Sequence, residues 1–290
     1  LQFSVSPYTW GFELTIFHSI FYFVLMIVLT CWSLIKWGNN LAITIILFSI
    51  FLYFGLINMP WPSLILIYGL IAYKISGISL SIGTILGISF LVFTGVLPQA
   101  LLSIYLCGIA VAISFLLGAS LGIWAAHNDR VSAFMRPIND TLQTMPSFVI
   151  LIPFLMIFKI GEFTALLAII AYAFVPAMRY TEHGLRNLPE SVIEAATMIG
   201  CSKSQLLWNV KIPLALPVIM LGLNQTIMYG LAMLVIAALV GTTGLGQLIY
   251  IGLSKANFGL GMIAGVGIAI IAMIADRMTQ AWSRSLEKKI

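Results

Sequence analysis

The residues best suited to a chemical or recognition role lie in one polar interval, about residues 181–213, of an otherwise apolar chain. Within it Glu194 is followed by Ala195 and Ala196, and Gly200 comes four positions later. Small alanine side chains let another helix approach closely, and the carboxylate supplies a charge beside them. The pattern suits docking onto a second protein. An amphipathic hairpin that lies on the membrane or on its own bundle is the alternative.

The polar interval predicts two short helices joined by a glycine turn. Asn187 can cap the first helix, and Glu190 suits its first turn because a carboxylate meets the positive helix end there. Gly200 stands where a helix needs a left-handed terminator. Ser202 begins the spacing of a capping box, so a second helix starts at once. Pro213 is expected to end that second helix.

Catalytic, metal-binding and nucleotide-binding patterns are missing from the sequence. The histidines, His18, His127 and His183, lie far apart and have no carboxylate or cysteine at metal-ligand spacing. No lysine follows a glycine, so the phosphate-binding loop G-x-x-x-x-G-K-[ST] does not occur. The glycine-rich segment 241–246 lacks that lysine and predicts a structural loop. The chain is therefore predicted not to be an enzyme, to hold no metal and to bind no ATP itself.

The composition is that of a membrane protein. Of the 290 residues, 61% are hydrophobic and only 8% are charged, and the mean hydropathy is +1.09. A soluble domain carries about 25% charged residues, so lipid must solvate most of this chain. The net charge of +5 is spread over many loops, which argues against nucleic acid as a partner.

The apolar segments predict an all-α polytopic membrane protein with eight or nine spans. The expected spans are 14–35, 41–57, 62–75, 78–97, 99–126, 137–158, 162–180, 214–240 and 257–276. With these spans, 12 of the 14 lysines and arginines fall on one side, and only Lys159 and Lys255 on the other. The positive-inside rule makes the first side cytoplasmic. The N-terminus is then outside, and the C-terminus and the polar interval are in the cytoplasm.

Two zones divide the chain, residues 1–97 with little polar content and residues 98–290 with more signals. Prolines recur in the spans of the second zone, at positions 137, 146, 153, 176 and 217. Each proline removes a backbone donor, so these helices should pack inside a bundle or line a cavity. Polar or soft residues in them are candidates for a substrate pathway, with helix packing or interhelical hydrogen bonding as the alternative. The candidates are Met145, Ser147, Phe148, Asn224, Gln225 and Met228.

Ionisable residues are nearly absent from the predicted spans. Glu13, Glu162 and Asp276 fall at predicted span ends. A secondary transporter normally needs buried carboxylates or broken helices at the midplane. Their near absence predicts that energy is supplied from outside the membrane.

The polar interval resembles the signature loop of ABC importer permeases, in which Glu-Ala-Ala is followed after three residues by Gly and after nine more by Ile-x-Leu-Pro. Here Glu, both Ala, Gly and Pro match, and the segment 210–213 reads Val-Lys-Ile-Pro. The resemblance implies a coupling helix that docks into a groove of a separate cytoplasmic ATPase subunit. The residues implied in ATPase coupling are Glu190, Glu194, Ala195, Ala196, Gly200 and Ser202.

Further segments resemble the glycine betaine/proline betaine branch of these permeases. They are 142–149, 223–228, 244–247 and 276–281, and the resemblance covers about residues 98–282. It implies a type I ABC importer transmembrane domain, with residues 1–97 as accessory spans, in the cytoplasmic (inner) membrane. The implied substrate is a quaternary ammonium osmolyte of the betaine type. Permeases for choline, carnitine, proline or a sulfonium osmolyte remain alternatives, as does a secondary transporter or channel.

The resemblance also implies the partners. They are ATPase subunits that bind ATP and Mg²⁺, a second permease copy in a homodimer, an external substrate-binding protein and membrane lipid. A quaternary ammonium is best recognised by aromatic faces. We expect the strong aromatic cage in the external binding protein and only weak contacts in the permease, since tight binding in the pathway would slow release.

Overall fold

The computed structural model describes residues 61–287, and this part of the chain is helical almost throughout. The predicted spans 14–35 and 41–57 lie outside the described residues. The helices are α1 (Trp61–Ser76), α2 (Ile78–Phe93), α3 (Leu97–His127), α4 (Asp129–Thr144), α5 (Ser147–Phe158), α6 (Glu162–Arg186), α7 (Glu190–Met198), α8 (Lys203–Gln205), α9 (Ile212–Ala237), α10 (Leu245–Ser254) and α11 (Phe258–Glu287).

Four helices of the described part are long and apolar enough to cross a membrane. They are α3, α6, α11 and the continuous segment Lys203–Val240, which contains α8 and α9. Helices α1 and α2 have 16 residues each, so each is about 24 Å long, short of a hydrocarbon core of about 30 Å. The all-α membrane architecture is confirmed. By length and composition, the described residues contain four candidate spans, or five if α4 and α5 form one. The total number of spans and the division at residue 97 stay predictions.

The centre of the bundle is built from α3, α6 and α9. Gly118 and Gly122 of α3 face α6, and a Cβ atom at Gly122 would lie 2.6 Å from the carbonyl oxygen of Met178. Such close approach lets the two backbones pack tightly, as small residues do in membrane helix pairs. Ile169 of α6 and Met233 of α9 are fully buried in the main apolar cluster.

The predicted span 137–158 is not one continuous helix. Residues 129–144 form the polar amphipathic helix α4, and α5 starts after a break at which the chain turns by 102°. Pro146 causes the break, because a residue that precedes proline avoids the helical region, and Met145 has the extended angles φ −65° and ψ 135°. Of these two helices, only α5 is apolar on all sides.

Hydrogen bonds join neighbouring helices to one another at each of the two ends of the bundle. At one end, Arg186 of α6 donates to the carbonyl of Ala125 at 2.7 Å and to the Asp129 carboxylate at 2.8 Å. We name this the polar end, and α7 and α8 follow from it. At the other end, the N–H of Gly161 donates to the carbonyl of Val240 at 3.0 Å. Which end faces the cytoplasm stays a prediction.

Candidate functional site

The predicted helix–turn–helix is present at the polar end, and we name residues 190–211 the docking hairpin. Gly200 has φ +89° and connects α7 to α8 in the left-handed conformation that the sequence predicts. The N–H of Cys201 donates to the carbonyl of Ala196 at 3.2 Å, and that of Gly200 to Thr197 at 3.0 Å. These bonds satisfy carbonyls at the end of α7 and fix the angle of the turn.

Capping follows the prediction in the second helix of the hairpin and not in the first. The Ser202 hydroxyl accepts from the N–H of Gln205 at 3.3 Å, and the Gln205 side chain accepts from the N–H of Ser202 at 2.9 Å. The capping box is confirmed. The predicted cap at Asn187 is wrong, because its amide donates back to the carbonyl of His183 at the end of α6. Pro189 precedes α7 without a side-chain cap.

The second helix of the hairpin does not end at Pro213, contrary to the prediction. A π-helical stretch, Leu206–Lys211, joins α8 directly to α9, and Lys203–Val240 is one helix of 38 residues. Pro213 is tolerated there because it falls in the first turn of α9, where a proline does not break the helix. The hairpin is therefore mechanically continuous with a membrane-spanning helix.

One face of the docking hairpin is free within the described chain. Of the six residues implied in ATPase coupling, Ala196 is buried and the other five are exposed. Met198 and Ile199 beside them are 89% and 84% exposed. The sequence reasoning missed these two, although apolar residues directly before a glycine turn could have indicated them. Exposed apolar side chains beside a free carboxylate, that of Glu194, are typical of a protein interaction surface.

A cavity of about 610 Å³ opens between α4 and α6 at the polar end. Arg179 pairs with Asp140 across it, and the Ser132 hydroxyl donates to Glu182 at 2.6 Å. The residues that line it are Arg136, Asn139, Asp140, Arg179, Tyr180, Glu182, His183, Arg186 and Asn187. The sequence reasoning missed this cavity, because the residues that form it come from helices far apart along the chain.

The six candidate pathway residues lie on two elements. Met145 is at the α4–α5 break, and Ser147 and Phe148 follow in the first turn of α5, where Phe148 is half exposed. The other three, Asn224, Gln225 and Met228, lie on α9, which α5 contacts. Their role in a pathway stays a prediction.

Asn224 belongs to a polar network between α9 and α11. Its amide donates to the Asp276 carboxylate at 2.7 Å, and its carbonyl accepts from the Thr279 hydroxyl. Gln280 also donates to Asp276, at 2.8 Å. The helix α11 continues past Asp276 to Glu287, so this network lies within a helix, and the placement of Asp276 at the end of a membrane span stays a prediction. Polar side chains at i, i+3 and i+4 in an apolar helix were the signal for this network.

Comparison with known proteins places these features in a family. Residues 118–290 match the family of binding-protein-dependent transport system inner membrane components. The glycine betaine/proline betaine transport system permease protein ProW of Escherichia coli is 39% identical over 79% of this chain and 65% of its own length. The chain thus spans slightly less than two-thirds of that relative. The glycine betaine transport system permease protein OpuAB of Bacillus subtilis is 36% identical over 78% of this chain and 80% of its own.

A solved structure shares the fold. An inward-facing form of the MetNI methionine ABC transporter aligns with a TM-score of 0.58 at 19% identity, over 66% of this chain and 95% of that one. The resemblance to ABC importer permeases is confirmed by the family match and by both relatives. The chain belongs to the family of binding-protein-dependent transport system inner membrane components.

Proposed function

We propose that this chain is the membrane permease subunit of an ATP-driven importer for quaternary ammonium osmolytes of the glycine betaine type. The docking hairpin carries the proposal, because it is exposed, bears Glu194 and Ala195 on its free face, and continues into a membrane helix. The names of two relatives, both betaine permeases, support the substrate class.

In this proposal, two permease copies enclose a pathway, and an external binding protein delivers the substrate. Two ATPase subunits dock on the hairpins from the cytoplasm and carry out all ATP binding and hydrolysis. Closure of the ATPases brings the hairpins together and favours the outward-open permease, and hydrolysis restores the inward-open state. The two states are selected by their difference in free energy, as alternating access requires.

Replacement of Glu194 tests the docking role. Glu194→Lys reverses the charge on the free face of α7, so we expect ATP-dependent uptake of labelled glycine betaine to fall at least about tenfold. Co-purification of the ATPase should fall in parallel, and the amount of permease in the membrane should stay unchanged. Arg130→Glu is the matched control, because Arg130 is an exposed charge at the polar end outside the hairpin. Normal uptake by Glu194→Lys would refute the docking role.

The substrate and the energy source are tested together in proteoliposomes that contain permease, ATPase and binding protein. Glycine betaine uptake should require internal ATP and should persist without a proton or sodium gradient. Choline, carnitine, proline and a sulfonium osmolyte should compete more weakly than unlabelled glycine betaine. Uptake driven by an ion gradient without ATP would support the secondary transporter instead.

A further inference from the structure

Two tyrosines meet in the middle of the bundle, outside the predicted pathway residues. Tyr172 of α6 and Tyr229 of α9 have ring centroids 5.1 Å apart, with the rings tilted by 33°. Both side chains are partly exposed. Gln225, one helical turn from Tyr229 on the same face of α9, is partly exposed as well.

These side chains lie deep in the bundle. Tyr172 is ten residues from the start of α6 and fourteen from its end, or about 15 Å and about 21 Å along the helix axis. Among residues 61–287, no hydrogen-bond partner is present for the hydroxyls of Tyr172 and Tyr229 or for the Gln225 amide. An unsatisfied polar group facing hydrocarbon is costly. This face is therefore suited to a water-filled pathway and unsuited to lipid.

The two helices that carry the tyrosine pair also meet nearer the polar end, beside the cavity. Tyr180 of α6 lines that cavity and packs against α9, where a Cβ atom at Gly222 would lie 2.7 Å from the Tyr180 Cβ. Tyr172 lies eight residues before Tyr180 on α6, and Tyr229 seven residues after Gly222 on α9. The two helices pack antiparallel here, so the tyrosine pair lies farther from the polar end than the cavity does, along the same contact between α6 and α9.

We infer that Tyr172 and Tyr229, together with Gln225, form a weak binding site for the trimethylammonium and carboxylate groups of the substrate in transit. This inference rests on the proposed function. A trimethylammonium group donates no N–H hydrogen bond, so an aromatic face is the group that attracts it best. The two rings contact each other, so the cation lies against their outer faces and not between them. The tyrosine hydroxyls and the Gln225 amide can donate to the carboxylate.

The test separates the aromatic face from the hydroxyl. Uptake of glycine betaine at saturating binding protein is measured for the double variants Tyr172→Leu/Tyr229→Leu and Tyr172→Phe/Tyr229→Phe in the complete importer. Loss of the faces should lower the maximal rate about 5- to 30-fold. The phenylalanine variant keeps the faces and should stay within about threefold of wild type. Tyr105→Leu is the control, because Tyr105 is an exposed tyrosine on α3 and its loss should leave uptake unchanged.

A graded substitution distinguishes substrate binding from packing. Tyr229 is replaced by phenylalanine that carries one, two or three fluorine atoms on the ring. Each fluorine withdraws negative charge from the ring face with little change of shape, so uptake should fall stepwise along the series. Equal uptake across this series, or equal losses in the leucine and phenylalanine variants, would overturn the site. The proposed function would still stand in that case, provided that the wild type takes up glycine betaine. Absence of uptake by the wild type would overturn both.

Discussion

Gly122 is one of two positions, with Gly118, at which the backbones of α3 and α6 approach closely enough that a Cβ would lie 2.6 Å from a carbonyl oxygen. Gly122→Ala would place a methyl group 2.6 Å from the Met178 carbonyl oxygen and 2.8 Å from the Cβ of Thr181. The helices would have to separate, at a cost of about 1–3 kcal/mol. We expect a lower midpoint of thermal unfolding for the purified permease. Gly108→Ala is the matched control, since a Cβ there meets nothing within 4 Å, and equal midpoints for the two variants would contradict the prediction.

Gly200 tests the turn of the docking hairpin. A Cβ at Gly200 meets no atom within 4 Å, but φ is +89°, so Gly200→Val acts through the backbone alone. A β-branched residue pays at least about 1–2 kcal/mol in this conformation, and the turn should shift. We expect ATP-coupled uptake to be abolished while membrane insertion remains normal. Gly200→Asn should retain most uptake, because asparagine tolerates the left-handed region; if both variants transport equally, the turn geometry is not required.

At the scale of single residues, local signals were predictable from sequence and contacts between helices were not. The left-handed Gly200 and the Ser202 capping box depend on neighbours within five positions, and the structure has both. The partner of Asn224 is 52 residues away, and the partner of Tyr172 is on another helix. Such pairs depend on the register between helices, which hydrophobic periodicity leaves undetermined.

The contact between α9 and α11 depends on a polar network in an apolar setting. Asp276→Leu would remove the acceptor of the Asn224 and Gln280 amides. Asn224 is buried, and a buried donor left unsatisfied costs about 1–3 kcal/mol. We expect lower thermal stability of the purified permease. Asp276→Asn keeps one acceptor oxygen and should lose less. A leucine variant as stable as wild type would mean that the network contributes nothing to this contact.

Most helices, but not their breaks and junctions, were predictable from the apolar pattern. The bounds of α3 and α6 follow the predicted spans 99–126 and 162–180, with α6 extended to Arg186. The α4–α5 break was missed because the predicted span 137–158 joined the polar C-terminal part of α4 to the apolar helix α5. The junction of α8 with α9 was missed because a π-helical stretch has no sequence signature comparable to a cap.

The arrangement of the whole molecule predicts which side of the membrane each cysteine can be reached from. Cys201 in the docking hairpin is partly exposed, and Cys107 is buried. Cys31 lies outside the described residues, so the labelling experiment uses a variant in which Cys31 is replaced by serine. A membrane-impermeant maleimide should label Cys201 in inside-out vesicles and not in right-side-out vesicles. Permeabilised right-side-out vesicles are the control and should regain labelling. Labelling of Cys201 from the outside of intact cells would show that the topology is the inverse of the one that the positive-inside rule predicts.

The unbroken helix Lys203–Val240 has a mechanical consequence. Its 38 residues make a rod about 57 Å long, with the hairpin at one tip and the contact between Val240 and Gly161 at the other. No loop interrupts this helix between its two ends. A displacement of the hairpin end is therefore transmitted along the helix to the Val240 end and is not absorbed by flexible chain. In the proposed importer, a force applied to the hairpin would therefore reach the contact between Val240 and Gly161, next to the junction of α5 and α6 at the opposite end of the bundle.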